Sequence, residues 1–184
     1  MNYLDYAKEY LMNTYNHLPV VFTYGKGCNL YDTSDKEYLD FTSGIGVMSL
    51  GYGNENWIKA VENQLEKIPH TSNIFLNIPV LELAKKFTEL SKMSKVFFCN
   101  SGAEANEAAI KLARKYSFDK YGKGRSTIIT LNKSFHGRTI ATLEATGQEK
   151  FHNYFYPFTE GFKYTDADAK SLEDTIDSTC CAIM

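Results

Sequence analysis

An apolar run, Val96-Phe97-Phe98-Cys99, ends abruptly at Asn100-Ser101-Gly102, and an Ala- and Glu-rich stretch begins at once. Two kinds of chemistry fit a small polar cluster at such a junction. Ser101 with Glu104 three residues on has the spacing of a helix capping box, which alone stabilises a helix by about 1 kcal/mol. Capping does not account for Gly102, a poor helix former in what would be the first turn. A residue without a Cβ there lets a ligand approach the N–H groups that open the helix. The positive end of the helix dipole suits an anion such as a phosphate. The residues themselves leave both readings open.

The elements around this junction follow from periodicity. Ala105, Ala108, Ala109, Leu112, Ala113 and Tyr116 form one apolar stripe, which predicts a helix over 102–119. Beyond residue 94 the pattern predicts strands at 95–99, 126–131 and 180–184, a second helix at about 168–176, and a shorter turn or helix after 137. Apolar strands alternating with helices mean an α/β fold with a parallel sheet. In such a sheet the strand-to-helix turns lie at the carboxyl ends of the strands, where ligands bind.

Upstream the organisation differs. Residues 3–15 read as an amphipathic helix, and strand-like pieces at 20–24, 28–31 and 37–41 follow. The segment FTSGIGVMSLGYGN (41–54) carries four glycines between apolar residues and predicts irregular backbone lying close to something. Helices are expected at about 55–68 and 79–93, with Pro79 in the first turn of the second. The expected division is an N-terminal arm and small-domain segment over 1–70 and the first part of a large α/β domain over 71–184. The final CCAIM reads as an apolar strand, so the chain is expected to stop in mid-domain.

Composition narrows the class. The 184 residues are 43% hydrophobic and 23% charged, as in ordinary soluble globular proteins. Lys plus Arg is 20 and Asp plus Glu is 22, a net charge of -2, which leaves no basic footprint for nucleic acid or a membrane surface. No apolar run approaches a bilayer span, and the N-terminus lacks a basic region followed by an apolar one. Cys28, Cys99, Cys180 and Cys181 have no C-x-x-C spacing, and reduced thiols are expected. A cytoplasmic location without a metal site fits these features.

NSGAEANEAAIKLAR (100–114) resembles the phosphate-cup segment of class III aminotransferases, which use pyridoxal 5'-phosphate. KSFHGRTIATLEATG (133–147) resembles a second segment of that family, and GCNLYDTSDKEYLDFTSGIGVMSLGYGN (27–54) and HTSNIF (70–75) resemble others in the same order. The resemblance implies the type I fold of pyridoxal-phosphate-dependent transferases, like aspartate aminotransferase, here truncated. It implies that Ser101, Gly102 and Ala103 hold the cofactor phosphate, mostly through backbone N–H groups. It also implies that Phe135 stacks on the pyridine ring and that Arg138 grips the α-carboxylate of the amino-acid substrate. A flat, electron-poor ring favours an aromatic partner, and a guanidinium grips a carboxylate through two parallel hydrogen bonds. On local sequence alone, Phe135 would be core filling and Arg138 a surface ion pair.

SGIGV, LGYGN and HTSNIF most resemble the branch acting on N-acetylornithine with 2-oxoglutarate in arginine biosynthesis, an amino-acid exchange run by a homodimer. Ser43, Gly44 and Gly46 are thereby expected near the substrate, and 70–75 near a neighbouring subunit. LNIPVLELA (76–84) departs from the family, which more often has aromatic or polar residues before this helix.

The family's chemistry also needs a lysine that captures the cofactor aldehyde and shuttles a proton, and an acid facing the pyridinium nitrogen. No lysine here lies in a segment resembling the family's, so the chain is expected to be the N-terminal half of an aminotransferase, without a catalytic residue and inactive alone. Relatives acting on ornithine, succinylornithine or 4-aminobutyrate are alternatives, as is a non-catalytic remnant paired with another chain. An unrelated nucleotide-binding domain is disfavoured, because no G-x-G-x-x-G or G-x-x-x-x-G-K-[ST] follows an expected strand.

Overall fold

The structure is a computed structural model and describes residues 2–184. The chain forms two compact units, one ending at Glu82 and the other running Leu83–Met184. Every buried apolar side chain among the described residues, including Ile110, Ile128, Ile129 and Leu143, belongs to the second unit.

The first unit begins with α1 (Tyr3–Tyr10), shorter than the expected 3–15. A meander of β1 (Phe22–Lys26), β2 (Asn29–Asp32) and β3 (Glu37–Leu39) follows, antiparallel in the order β1-β2-β3. Cross-strand aromatics hold it: the Tyr24 and Tyr31 rings stack at 4.5 Å, and Phe22 meets Tyr38 edge-on at 5.4 Å. Next comes a four-residue turn, α2 (Ser43–Gly46), then α3 (Glu55–Lys67). α4 (Ile78–Ser91) begins with Pro79 in its first turn, and the Asn77 side chain accepts the Val80 N–H at 3.1 Å.

The glycine-rich stretch is irregular, as expected, and its irregularity has a definite form. Ser43, Gly44, Ile45 and Gly46 all have positive φ, from 47° to 82°. A β-branched residue such as Ile45 avoids that region, so the turn must be held from outside itself. Asp40 holds it. Its carboxylate accepts from the Thr42 hydroxyl and N–H, each at 2.7 Å, from the Ser43 N–H at 3.1 Å and from the Tyr52 hydroxyl at 2.8 Å.

The Thr42 hydroxyl foremost, then that of Tyr52, pull the Asp40 carboxyl from its ordinary 3.8 down to about 2. A folded pKa below the unfolded one gives stability that is present above about pH 4 and lost as pH falls toward 2. Asp40→Asn is therefore expected to loosen residues 40–46 at neutral pH and to abolish their pH dependence between 4 and 2. Amide exchange of that segment across the pH range checks both results.

The second unit is an α/β layer. α5 (Gly102–Tyr121) leads into β4 (Thr127–Leu131); α6 (Ile140–Ala145), β5 (Phe162–Thr165), α7 (Ala169–Thr175) and β6 (Cys180–Ile183) follow. The sheet order is β5-β4-β6, and both pairings are parallel. Ile128, Ile129 and Thr130 of the central strand are fully buried, as an apolar run covered on both faces requires.

Two sequence expectations change here. Residues 95–99 form no strand, because the described residues supply no neighbouring strand to pair with them. The sheet's third member is instead β5, a four-residue strand that follows Gly161.

Two arginines fix α5 to the strand entrances. The Arg114 guanidinium donates to the carbonyls of Ser126 at 3.0 Å and of Glu160 and Gly161 at 3.3 Å, and lies 5.2 Å from the Phe162 ring. Arg125 donates to the Cys180 carbonyl at 3.3 Å and stacks on Tyr121 at 4.2 Å. The C-terminal half of α5 thus lies beside the beginnings of β4, β5 and β6. Its N-terminus is carried to the carboxyl end of the sheet.

Candidate active site

At that end α5 faces the segment that leaves β4. Gly102, Ala103 and Asn106 line one side of a cleft of about 430 Å³, and Phe135 to Arg138 line the other. A larger cleft of about 540 Å³ beside α1 and β1 contains none of the expected site residues.

Ser101 caps α5: its hydroxyl accepts the Glu104 N–H at 3.1 Å. The reciprocal half of the box is displaced by one residue. The Glu104 carboxylate reaches past Ser101 to the Asn100 N–H at 2.7 Å and to the Asn100 side-chain amide at 3.0 Å. The Ser101 N–H is therefore not consumed by the box. The Gly102 and Ala103 amides stand in the first turn, where no earlier turn supplies a carbonyl. A Cβ on Gly102 would meet nothing within 4 Å, so the approach to these amides is open. Capping and anion binding, alternatives in the sequence, are compatible in the structure.

The opposite wall is a strap. Gly137 has φ +138°, and a Cβ there would stand 2.8 Å from the Ala103 Cβ and 2.6 Å from the Thr142 hydroxyl. The strap thus lies directly on the first turn of α5. The Arg138 guanidinium lies 5.8 Å from the centre of the Phe135 ring, and Phe151 meets that ring edge-on at 5.7 Å. Phe135 remains 53% exposed, leaving ring surface for a flat partner. Burial lowers the His136 pKa below its ordinary 6.5, so the imidazole is neutral at pH 7. Among the residues lining the cleft, Arg138 then carries the positive charge, beside the opening turn of α5.

Gly102, Ala103, Phe135 and Arg138 share one cleft, with Ser101 as the cap beside them. Asn106 also enters it, although sequence reasoning did not single it out. Its position three and four residues after Ala103 and Gly102, on the same helix face, was the available signal. No lysine lines the cleft. Ser43, Gly44, Gly46 and residues 70–75 lie in the first unit. The donors and the open ring face suit a phosphate monoester carrying a flat ring.

The chain matches the family described as aminotransferase class-III over residues 10–184, and it belongs to that family. Pyridoxal phosphate is the cofactor this class implies. Among curated relatives, it is 52% identical over 178 residues to an acetylornithine aminotransferase of Haemophilus ducreyi, covering 96% of this chain and 45% of the relative. It is 46% identical to one of Methanocaldococcus jannaschii over 184 residues, covering 100% of this chain and 46% of the relative. The fold is also that of the crystal structure of ornithine aminotransferase from Toxoplasma gondii, with TM-score 0.92 and 30% identity, covering 98% of this chain and 44% of that one. The chain spans about half the length of the relatives it matches. Among the described residues, no helix is long and apolar enough to cross a membrane.

Proposed function

We propose that this chain is the phosphate-holding part of a pyridoxal-phosphate-dependent aminotransferase that moves the amino group of N-acetylornithine to 2-oxoglutarate in arginine biosynthesis. One observation carries the reading: the opening amides of α5 face the same cleft as Phe135 and Arg138. Ser101, Gly102 and Ala103 bind the phosphate through backbone N–H groups, with the helix dipole favouring its charge. Phe135 orients the pyridine ring by stacking. Arg138 holds the substrate's α-carboxylate, turning the amino group toward the ring.

When bound, the cofactor supplies an electron sink that lets the bond at the substrate's α-carbon ionise. The amine that moves the proton there comes from a lysine outside this cleft, and no lysine of this chain lies in a segment resembling the family's, so the 184-residue chain alone is expected not to turn over. Identity to the acetylornithine enzymes supports the substrate. The reading places the protein in the cytoplasm as a homodimer.

Amine-donor screening of the protein carried through to its relatives' full length tests the reading. N-acetylornithine is expected to outperform ornithine and 4-aminobutyrate. Preference for either of those would overturn the substrate assignment, and turnover by the 184-residue chain alone would overturn the predicted incapacity. In the same assay Arg138→Lys is expected to raise KM for the amino-acid donor roughly tenfold, because an ammonium cannot make the paired contact. An unchanged KM would remove Arg138 from the substrate site.

A further inference from the structure

Two contacts run from the second turn of α5 to the strap carrying Phe135 and Arg138. The Asn106 side-chain amide donates to the His136 carbonyl at 2.7 Å, and the Thr139 hydroxyl donates to the Glu107 carboxylate. The two differ in weight. The Thr139 hydroxyl also pairs with Thr142 at 2.6 Å and lies toward solvent, whereas the Asn106 contact is partly buried and sits in the cleft wall.

The geometry points to Asn106 as a positioning residue: its amide sets the distance between the phosphate-binding end of α5 and the two side chains facing the rest of the cofactor and its substrate. The bond is made to backbone between Phe135 and Arg138, so one restraint places both side chains. From its other side the strap is tied toward α6, by the His136 N–H to the Thr146 hydroxyl at 3.0 Å and the Thr139 N–H to the Thr142 hydroxyl at 3.1 Å. Those bonds hold the strap to α6 whatever α5 does. Asn106 registers it on α5, at the point where Gly137 already rests on Ala103. Removing the donor leaves a partly buried carbonyl without its partner, and local opening is the response.

The inference rests on the cofactor reading above, and its test separates the two. Asn106→Ala and Asn106→Leu are both neutral and compatible with a helix, so one stands in if the other folds poorly. Amide exchange is followed in the ligand-free protein, and affinities are measured for pyridoxal 5'-phosphate and, separately, for inorganic phosphate. Residues 135–139 should exchange roughly tenfold faster in the variants, the equivalent of one lost hydrogen bond, with 127–131 unchanged. Affinity for pyridoxal 5'-phosphate should fall roughly tenfold, while that for inorganic phosphate stays within about twofold.

Unchanged exchange of the strap overturns the inference. So does faster exchange that includes 127–131, which marks a merely structural role, or an equal loss for both ligands. If the unaltered protein binds neither ligand, the cofactor reading fails. The exchange result then still supports or overturns Asn106 as the strap's anchor.

Discussion

Replacing Gly102 with Asp leaves α5 folded and removes the protein's affinity for pyridoxal 5'-phosphate by about 100-fold or more. A Cβ at Gly102 has open space around it, and its φ is not in the left-handed region, so the fold accepts the side chain. A carboxylate in the first turn also complements the helix dipole, so stability should hold or rise by about 0.3–1 kcal/mol. The same carboxylate stands where the phosphate would. At about 4 Å and an effective dielectric of about 20, like charges repel by roughly 4 kcal/mol. Thermal melting together with cofactor titration separates the readings. If Gly102 belongs only to a helix cap, neither melting nor affinity drops.

Gly137→Ala fails differently, by lifting the strap off α5. Its Cβ would lie 2.6 Å from the Thr142 hydroxyl, 2.8 Å from the Ala103 Cβ and 3.1 Å from the Ala103 Cα, with φ at +138°. Both neighbours belong to helix ends held by their own caps, so neither yields cheaply. The expected cost is about 3 kcal/mol, the sum of overpacking and backbone strain. That lowers Tm by roughly 12–24 °C for a unit of about 100 residues such as Leu83–Met184. Cofactor affinity falls with it, because Phe135 and Arg138 move with the strap. A variant that melts like the parent would show that the strap does not rest on Ala103.

The pair distinguishes binding from scaffolding. Gly102→Asp is expected to cost affinity without stability, whereas Gly137→Ala is expected to cost both.

How much of this the sequence shows depends on the range of the interaction. Ser101 as a cap, the α5 stripe and the buried run of β4 are local, and each is readable from its own few residues. β5 escapes because four residues after a glycine are too few to show a period. Residues 95–99 mislead for the opposite reason: their apolar pattern is strand-like, but a strand exists only through a neighbour.

The site divides the same way. The amides proposed to hold the phosphate are legible because a helix start concentrates them at one place. The Asn106 contact is not, because its acceptor is a backbone carbonyl thirty residues away. The displaced reach of Glu104 to Asn100 is likewise invisible to a spacing rule that aims it at Ser101. Phe135 and Arg138 share a cleft with Gly102, a relation that no local pattern contains.

The central claim is that the amides opening α5 bind the phosphate of pyridoxal 5'-phosphate. Crystals grown with the cofactor test it most directly. The phosphate is predicted within hydrogen-bond reach of the Gly102 and Ala103 N–H groups, with the ring against Phe135. Cofactor density seated elsewhere, with those amides facing only solvent, would contradict it.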